Sequence, residues 1–400
     1  MASSVSSPRA IPFVTDGTLL LHADFLLLGI VMTFLGPMLP QFSARWSLTD
    51  AGAGSLIFAE FFSSMFGMLL SGVSVVRLGY RLTLIIGLLL MACGVTSLAS
   101  GPWLQGIIAV CIFGVGYGIT SPAGNLRTAE INPERSASAL NVINAVWGLG
   151  AMSSPFLVAI ALHNHHPSFF LYGTAAALFA LLTTLAISRF VPDIRVHAGD
   201  TNPNRAHLWR RPILPLICLL FFVYVGTETC FGNWVTTYAR RIETGPRSLA
   251  TMMPSFFWGA LLLGRALAPL ALKFRHETTV ALGGLICAVL GGTALITAHG
   301  VPQIIIGSIL AGLGLASIFP ISVSLLPRWF GDSAHHASSV VFASGNTGGA
   351  VMPWLLGAVS AHYSSLRLAF SIPLAGAVAM LAFYLLQSPS QDAAPVVTVQ

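Results

Sequence analysis

The chain has 400 residues, 55% of them hydrophobic and only 8% charged, and a formal net charge of +6. A soluble domain carries about 25% charged residues, so the composition excludes a globular enzyme built on one core and indicates an all-α membrane protein. Nucleic acid is excluded as a partner, because the basic residues fall in short clusters between apolar stretches and not on one patch. The partner is the lipid bilayer.

Apolar segments recur about every 33 residues, each long enough for the ~20 residues a bilayer demands. Twelve transmembrane helices are predicted, at 18–40, 51–72, 82–100, 103–128, 137–162, 168–191, 212–238, 249–272, 278–298, 301–326, 337–362 and 366–386. The opening residues, MASSVSSPRAIPF, lack a signal-peptide pattern, so the first span is expected to stay as an anchor. Cys93, Cys111, Cys218, Cys230 and Cys287 all lie within apolar stretches, and none suggests a metal pair or a disulfide framework. With the N-terminus inside, only Arg45, Arg240, Arg241, Arg247 and Arg367 of the 19 Lys and Arg lie outside. That bias predicts both termini in the cytoplasm, and the cell inner membrane as the location.

The longest polar segment, PDIRVHAGDTNPNRAHLWRR, is rich in Pro, Asn and Arg and has no periodicity. It reads as a cytoplasmic linker at 192–211 between a half at 1–191 and a half at 212–400. The halves repeat at an offset of 198. Gly114, Gly116, Pro122, Gly150 and Pro155 become Gly312, Gly314, Pro320, Gly348 and Pro353. Two parallel six-helix repeats are a transporter architecture, with the solute between the halves.

After the second span the sequence reads Gly72-Val-Ser-Val-Val-Arg77-Leu-Gly79-Tyr80-Arg81. This resembles the G-x-x-x-D-R-x-G-R-R signature of the major facilitator superfamily, with Val76 in place of the Asp and Tyr80 in place of one Arg. The resemblance implies the major facilitator fold, alternating access, and a gating role for Arg77, Gly79 and Arg81. Three further stretches are similar to the fucose-permease and sodium-dependent glucose transporter branch: GVGYGITSPAGN ending at Asn125, SALNVINAVWGLGAMSSP from Ser138, and YVGTETCFGNW around Glu228. Fucose–proton carriers have carboxylates in the first and fourth spans. Gly36 and Ser121 stand near those places here, so coupling by those groups is not expected.

The seventh span carries the strongest candidate site. Glu228 lies near its middle, and a carboxylate at that depth costs roughly 2.5–3.5 kcal/mol or more. Gly232-Asn233-Trp234 follows, which predicts a broken helix beside an aromatic ring, as in a midplane binding site. Tyr224 is one turn before Glu228 and shares its face. Asn141, Asn144 and Gly148 fall on one face of the fifth span, with repeat mates Ser339, Phe342 and Asn346. Amides both donate and accept, which suits sugar hydroxyls; Asn125 adds another. The plainer reading is that such amides join helix to helix. Of the tryptophans, Trp234 alone is singled out, beside the acid and the expected break. Asp24 and Glu60 also lie at membrane depth and are candidates, with Glu228, for a coupling cation, H+ or Na+. Arg265 is expected to latch a helix end to a neighbour. His163, His165 and His166 form a run in an outer loop, which reads as solvated rather than metal-binding. There is no HExxH, P-loop or GxSxG in a fitting context, so no hydrolase or ATPase engine is expected.

The sequence thus points to a monomeric secondary transporter without a cofactor, carrying a small polar solute such as a sugar, and not to an enzyme. The rivals are an exporter of amphipathic compounds, suggested by Gly148, Gly150 and Pro155, and a non-transporting receptor or scaffold.

Overall fold

The computed structural model describes residues 16–188, 213–242, 247–331 and 334–391. The linker predicted at 192–211 lies outside the described residues. Helices α1 (Asp16–Thr33) and α2 (Leu35–Trp46) form the first span. They meet at 42°. Pro37 accounts for the break, since its ring removes the N–H that would bond the Thr33 carbonyl and crowds that carbonyl. Helix α3 (Asp50–Leu98) holds the second and third spans. Then come α4 (Trp103–Ile131), α5 (Ser136–His163) and α6 (Pro167–Ile187). The second half begins with α7 (Ile213–Ile242), α8 (Arg247–Phe274) and α9 (Glu277–Ile296). The tenth span is α10 (Val301–Leu315) and α11 (Ile318–Phe330), and the eleventh is α12 (Ala334–Tyr363). The last comprises α13 (Leu366–Ala369) and α14 (Ser371–Gln391).

Nine helices among the described residues are long and apolar enough to cross a bilayer, or ten with the bent first pair. Twelve spans result because α3 is a hairpin counted once and the 30-residue α12 is long enough as well. The reversal in α3 is at Gly79, with φ 78° and ψ 169°, a region that is essentially glycine's alone. The packing confirms it. Gly67 before the turn and Gly87 after it both press on α4, against Gly118 and Gly116.

The repeat is visible in these close approaches. A Cβ at Gly114 would meet the backbone of Glu60 in the second span, and one at Gly312 would meet Phe257 in the eighth. Gly116 presses on Gly87 and Met91 of the third span; Gly314 presses on Gly284 and Ala288 of the ninth. Gly150 lies against Leu26 in the first span, and Gly348 against Phe222 in the seventh. Matched glycines make matched contacts, so the two six-helix halves are parallel repeats. Small residues are what let membrane helices come this close.

Candidate functional site

The halves meet through two antiparallel helix pairs. In the first, α5 and α8 oppose Met152 to Gly259, Trp147 to Trp258 and Gly148 to Leu262. In the second, the leading arm of α3 and α12 oppose Gly54 to Trp354, Phe61 to Gly349 and Met68 to Asn346. The turn at Ser47 lies at one end of these pairs and the turn at Gly79 at the other.

The Ser47 end is shut. Both terminal nitrogens of Arg241 at the end of α7 reach Asp50 at the start of α3, one of them at 2.8 Å. Ser360 of α12 donates to the same carboxylate at 2.5 Å. Below this clamp, Gly36 of α2 sits on the backbone of Asn233, where a Cβ would lie 2.6 Å from its Cα. Trp147 and Trp258 then close the middle edge to face, with centroids 5.9 Å apart.

Toward Gly79 the same stripes part. A Cβ on Gly72 would meet nothing within 4 Å. Asn144 and Asn141, one and two turns beyond Gly148, are exposed, and Phe342, one turn beyond Asn346, is 39% exposed. A cleft therefore opens between the halves beneath the tryptophan pair.

Glu228, Tyr224 and Arg265 come together on the C-terminal wall of this cleft. Arg265 Nη2 donates to Glu228 Oε1 at 3.1 Å and lies 3.2 Å from the Tyr224 hydroxyl. Its guanidinium sits 5.9 Å from the Phe319 ring centroid. The Arg265 side chain keeps part of its surface open while Glu228 and Tyr224 are buried behind it. Arg265, expected to latch a helix end to a neighbour, does reach the neighbouring α7, where it is the counter-ion of Glu228. Leu262 packs on Gly148, so Arg265, one turn on, faces the Asn144 level of α5.

The break expected at Gly232-Asn233 is also corrected, because α7 is continuous from Ile213 to Ile242. Gly232 is there for proximity, since the Trp258 ring occupies the space 2.5 Å from where a Cβ would be. Trp234 is 0% exposed and its indole N–H donates to the Pro353 carbonyl at 3.0 Å. Asn233 is buried and donates to Thr229. Neither opens on the cleft in this state.

The N-terminal wall carries Asn125, Asn141 and Asn144, and Asn346 lies on α12 of the other half. Asn144 reaches Asn125 at 3.4 Å and the Leu140 carbonyl at 2.7 Å. Asn346 contacts the Met68 sulfur across the halves at 3.1 Å. The carboxyl oxygens of Glu60 and Asp24 are buried without a hydrogen-bond partner. Asp24 stands apart from the cleft in a small cavity lined by Leu20, Leu21, Leu84, Leu88, Leu181 and Leu185. At the Gly79 turn, Arg77 is exposed and Arg81 donates to the Ala186 carbonyl. Tyr80, in the place of a signature arginine, donates to Glu130 at 2.5 Å, and Arg127 pairs with the same carboxylate at 3.4 Å. The positive charge missing from position 80 is supplied from α4.

The sequence reading missed Trp147, Trp258, Phe319 and Phe342 as cleft residues. The spacing of Trp147 with Asn144 and Gly148 carried a signal for the first; the others depend on contacts between distant spans.

The Major Facilitator Superfamily model matches residues 25–254 and 217–398. The chain is 24% identical over 355 residues to the glucose/mannose transporter GlcP of Bacillus subtilis (strain 168), covering 84% of this chain and 86% of that one. It is 22% identical over 402 residues to the human sodium-dependent glucose transporter 1, covering 90% and 76%. Among solved structures, the nucleoside transporter NupG superposes with a TM-score of 0.77 at 13% identity, covering 94% of this chain and 99% of that one. A D-xylose-proton symporter superposes at 0.72 and 16% identity, covering 92% and 96%. Helix order, glycine-matched halves, signature turn and these matches agree: the chain belongs to the Major Facilitator Superfamily.

Proposed function

We propose that this chain is a monomeric secondary transporter that moves a sugar through the cleft between its halves, 1–191 and 212–400, joined by 192–211. The observation that carries this reading is the Tyr224–Glu228–Arg265 group opening just beneath the Trp147–Trp258 pair, with Asn144 opposite. It is a compact set of charged donors and acceptors of zero net charge. That suits a neutral solute rich in hydroxyls, which both donate and accept. The relatives carry glucose, mannose, or glucose with sodium by their printed names, which supports a hexose. With the positive-inside orientation, both termini are cytoplasmic in the cell inner membrane and the cleft faces the cytoplasm. Trp234 and Asn233, buried here, belong to the solute path only in a state that opens the Ser47 end. Asn125, Asn141, Asn144 and Asn346 contact the solute in this one.

Glu60, Asp24 and Glu228 remain the coupling groups of this proposal. A sodium ion needs several oxygen ligands, as hard cations do. The leucines around Asp24 offer none, which favours a proton there. Counterflow of radiolabelled hexose in proteoliposomes tests the assignment: exchange is expected, and none for any monosaccharide overturns it. Phe319, Phe342, Met65 and Met68 on the cleft favour a second reading, an exporter of amphipathic compounds. Raised drug tolerance of an expressing strain, without hexose counterflow, would establish that alternative.

A further inference from the structure

The repeat at offset 198 pairs each cleft-lining position of one half with a position in the other. Asn144 is paired with Phe342, and Ser121 with Phe319. At these two positions the halves therefore differ in chemistry although they are equivalent in backbone, and on the C-terminal side the rings stand beside the Tyr224–Glu228–Arg265 group. One presents an amide cluster in which Asn144 and Asn125 are in contact at 3.4 Å. The other presents two phenyl rings stacked at 22° with centroids 6.0 Å apart.

The pair leans on the core on one side, where Phe221 lies 5.7 Å from Phe319 and 5.9 Å from Phe342, but core packing leaves the other side of Phe342 uncovered. Phe342 shares a stripe of α12 with Asn346 and Gly349, which touch Met68 and Phe61 of the other half. That stripe points across the cleft. At Phe342 the opposing α3 arm has reached Gly72, which presents no side chain, and Phe342 stays 39% exposed. A large ring left partly open, one layer from an ion-paired group, offers apolar surface that a solute can cover. Phe319 behind it is fixed by the Arg265 guanidinium 5.9 Å away.

We infer that Phe342, backed by Phe319, is a stacking platform for the apolar C–H face of a cyclic sugar, and that it sets a preference for pyranoses over open-chain polyols. This rests on the sugar reading above. A pyranose has a rigid face of C–H bonds and a rim of hydroxyls. Laid on Phe342, it turns its rim toward Asn144 and Asn125. An alditol carries one hydroxyl more, freed from the ring oxygen, but has no rigid flat face to lay on the ring. The ring at Phe342 and the amides at Asn144 and Asn125 thus match the two unlike aspects of one solute.

The test is equilibrium binding to the purified full chain of radiolabelled D-glucose, D-xylose and D-galactose, each beside its alditol. In Phe342→Leu, pyranose affinity is expected to fall about tenfold, equivalent to about 1.4 kcal/mol, while alditol binding changes less than about twofold. Phe342→Tyr keeps the ring and is expected to stay within about threefold of the unsubstituted protein. Equal pyranose binding by Phe342→Leu overturns the platform, and so does equal loss for pyranose and alditol. If Phe342→Leu does not fold, Phe342→Met carries the same comparison. Absence of pyranose binding in the unsubstituted protein overturns the sugar reading along with the platform, and is distinguished by appearing before any substitution.

Discussion

Replacing Asp50 with Asn tests whether the Ser47 end is held shut by the clamp seen there. The substitution removes the charge that pairs with Arg241 and turns one acceptor oxygen into a donor. Arg241 is 45% exposed and Asp50 13%, so solvent screens the pair and its worth is about 0.2–1 kcal/mol. The Ser360 hydrogen bond to the same carboxylate adds about 1 kcal/mol. The total, roughly 1–2 kcal/mol, shifts the ratio of shut to open states by about 5- to 30-fold. Spin labels at Ala44→Cys and Tyr363→Cys report it, since both positions are exposed and lie at the Ser47 end in opposite halves. The five native cysteines are replaced first. Asp50→Asn is expected to enrich a longer inter-label distance at the expense of the short one. An unchanged distance distribution would refute the clamp as a determinant of closure and leave packing such as Gly36 on Asn233 as the cause.

Three further substitutions separate the cleft from the core. Glu228→Gln leaves Arg265 without its counter-ion, and hexose counterflow is expected to be lost while the protein still reconstitutes; normal counterflow would remove Glu228 from the mechanism. Trp234→Phe leaves the buried Pro353 carbonyl unpaired, at about 1–3 kcal/mol; a lower melting temperature with an unchanged hexose KM is expected, and a large KM change with no loss of stability would place Trp234 in the path instead. Asp24→Asn is expected to flatten the pH dependence of uptake, with sodium having no effect in either protein. A sodium requirement that disappears with Asp24 would contradict the proton assignment.

The architecture was legible because bilayer thickness fixes span length, and because the 198-residue offset keeps glycines at three matched close approaches, Gly114 with Gly312, Gly116 with Gly314 and Gly150 with Gly348. Glu228 was legible because a carboxylate at membrane depth is costly whatever surrounds it. Its partner was not. Arg265 lies 37 residues away on another helix, and only the packing of α8 against α5 and α7 brings it to 3.1 Å. Trp234 was drawn in by its nearness in sequence to Glu228. At about 100° per residue, six residues place the two side chains about 120° apart on α7, so one faces the cleft wall and the other the helix α12. Gly232 was read as a break, although glycine in a membrane helix equally marks where a neighbour's ring comes close, here Trp258.

The tenth span differs from its repeat mate in one respect. Pro122 sits within an unbroken α4, whereas Pro320 follows a two-residue loosening at Ala316 and Ser317, which lie outside both α10 and α11 without a sharp bend between them. The segment bearing Phe319 therefore has a joint that the fourth span lacks. One side of the cleft mouth at the Gly79 end is expected to swing about that joint while the other side moves as a rigid lever. Faster amide exchange at 316–319 than at 118–121 is the signature of such lopsided mechanics, and equal exchange would show that the joint is locked.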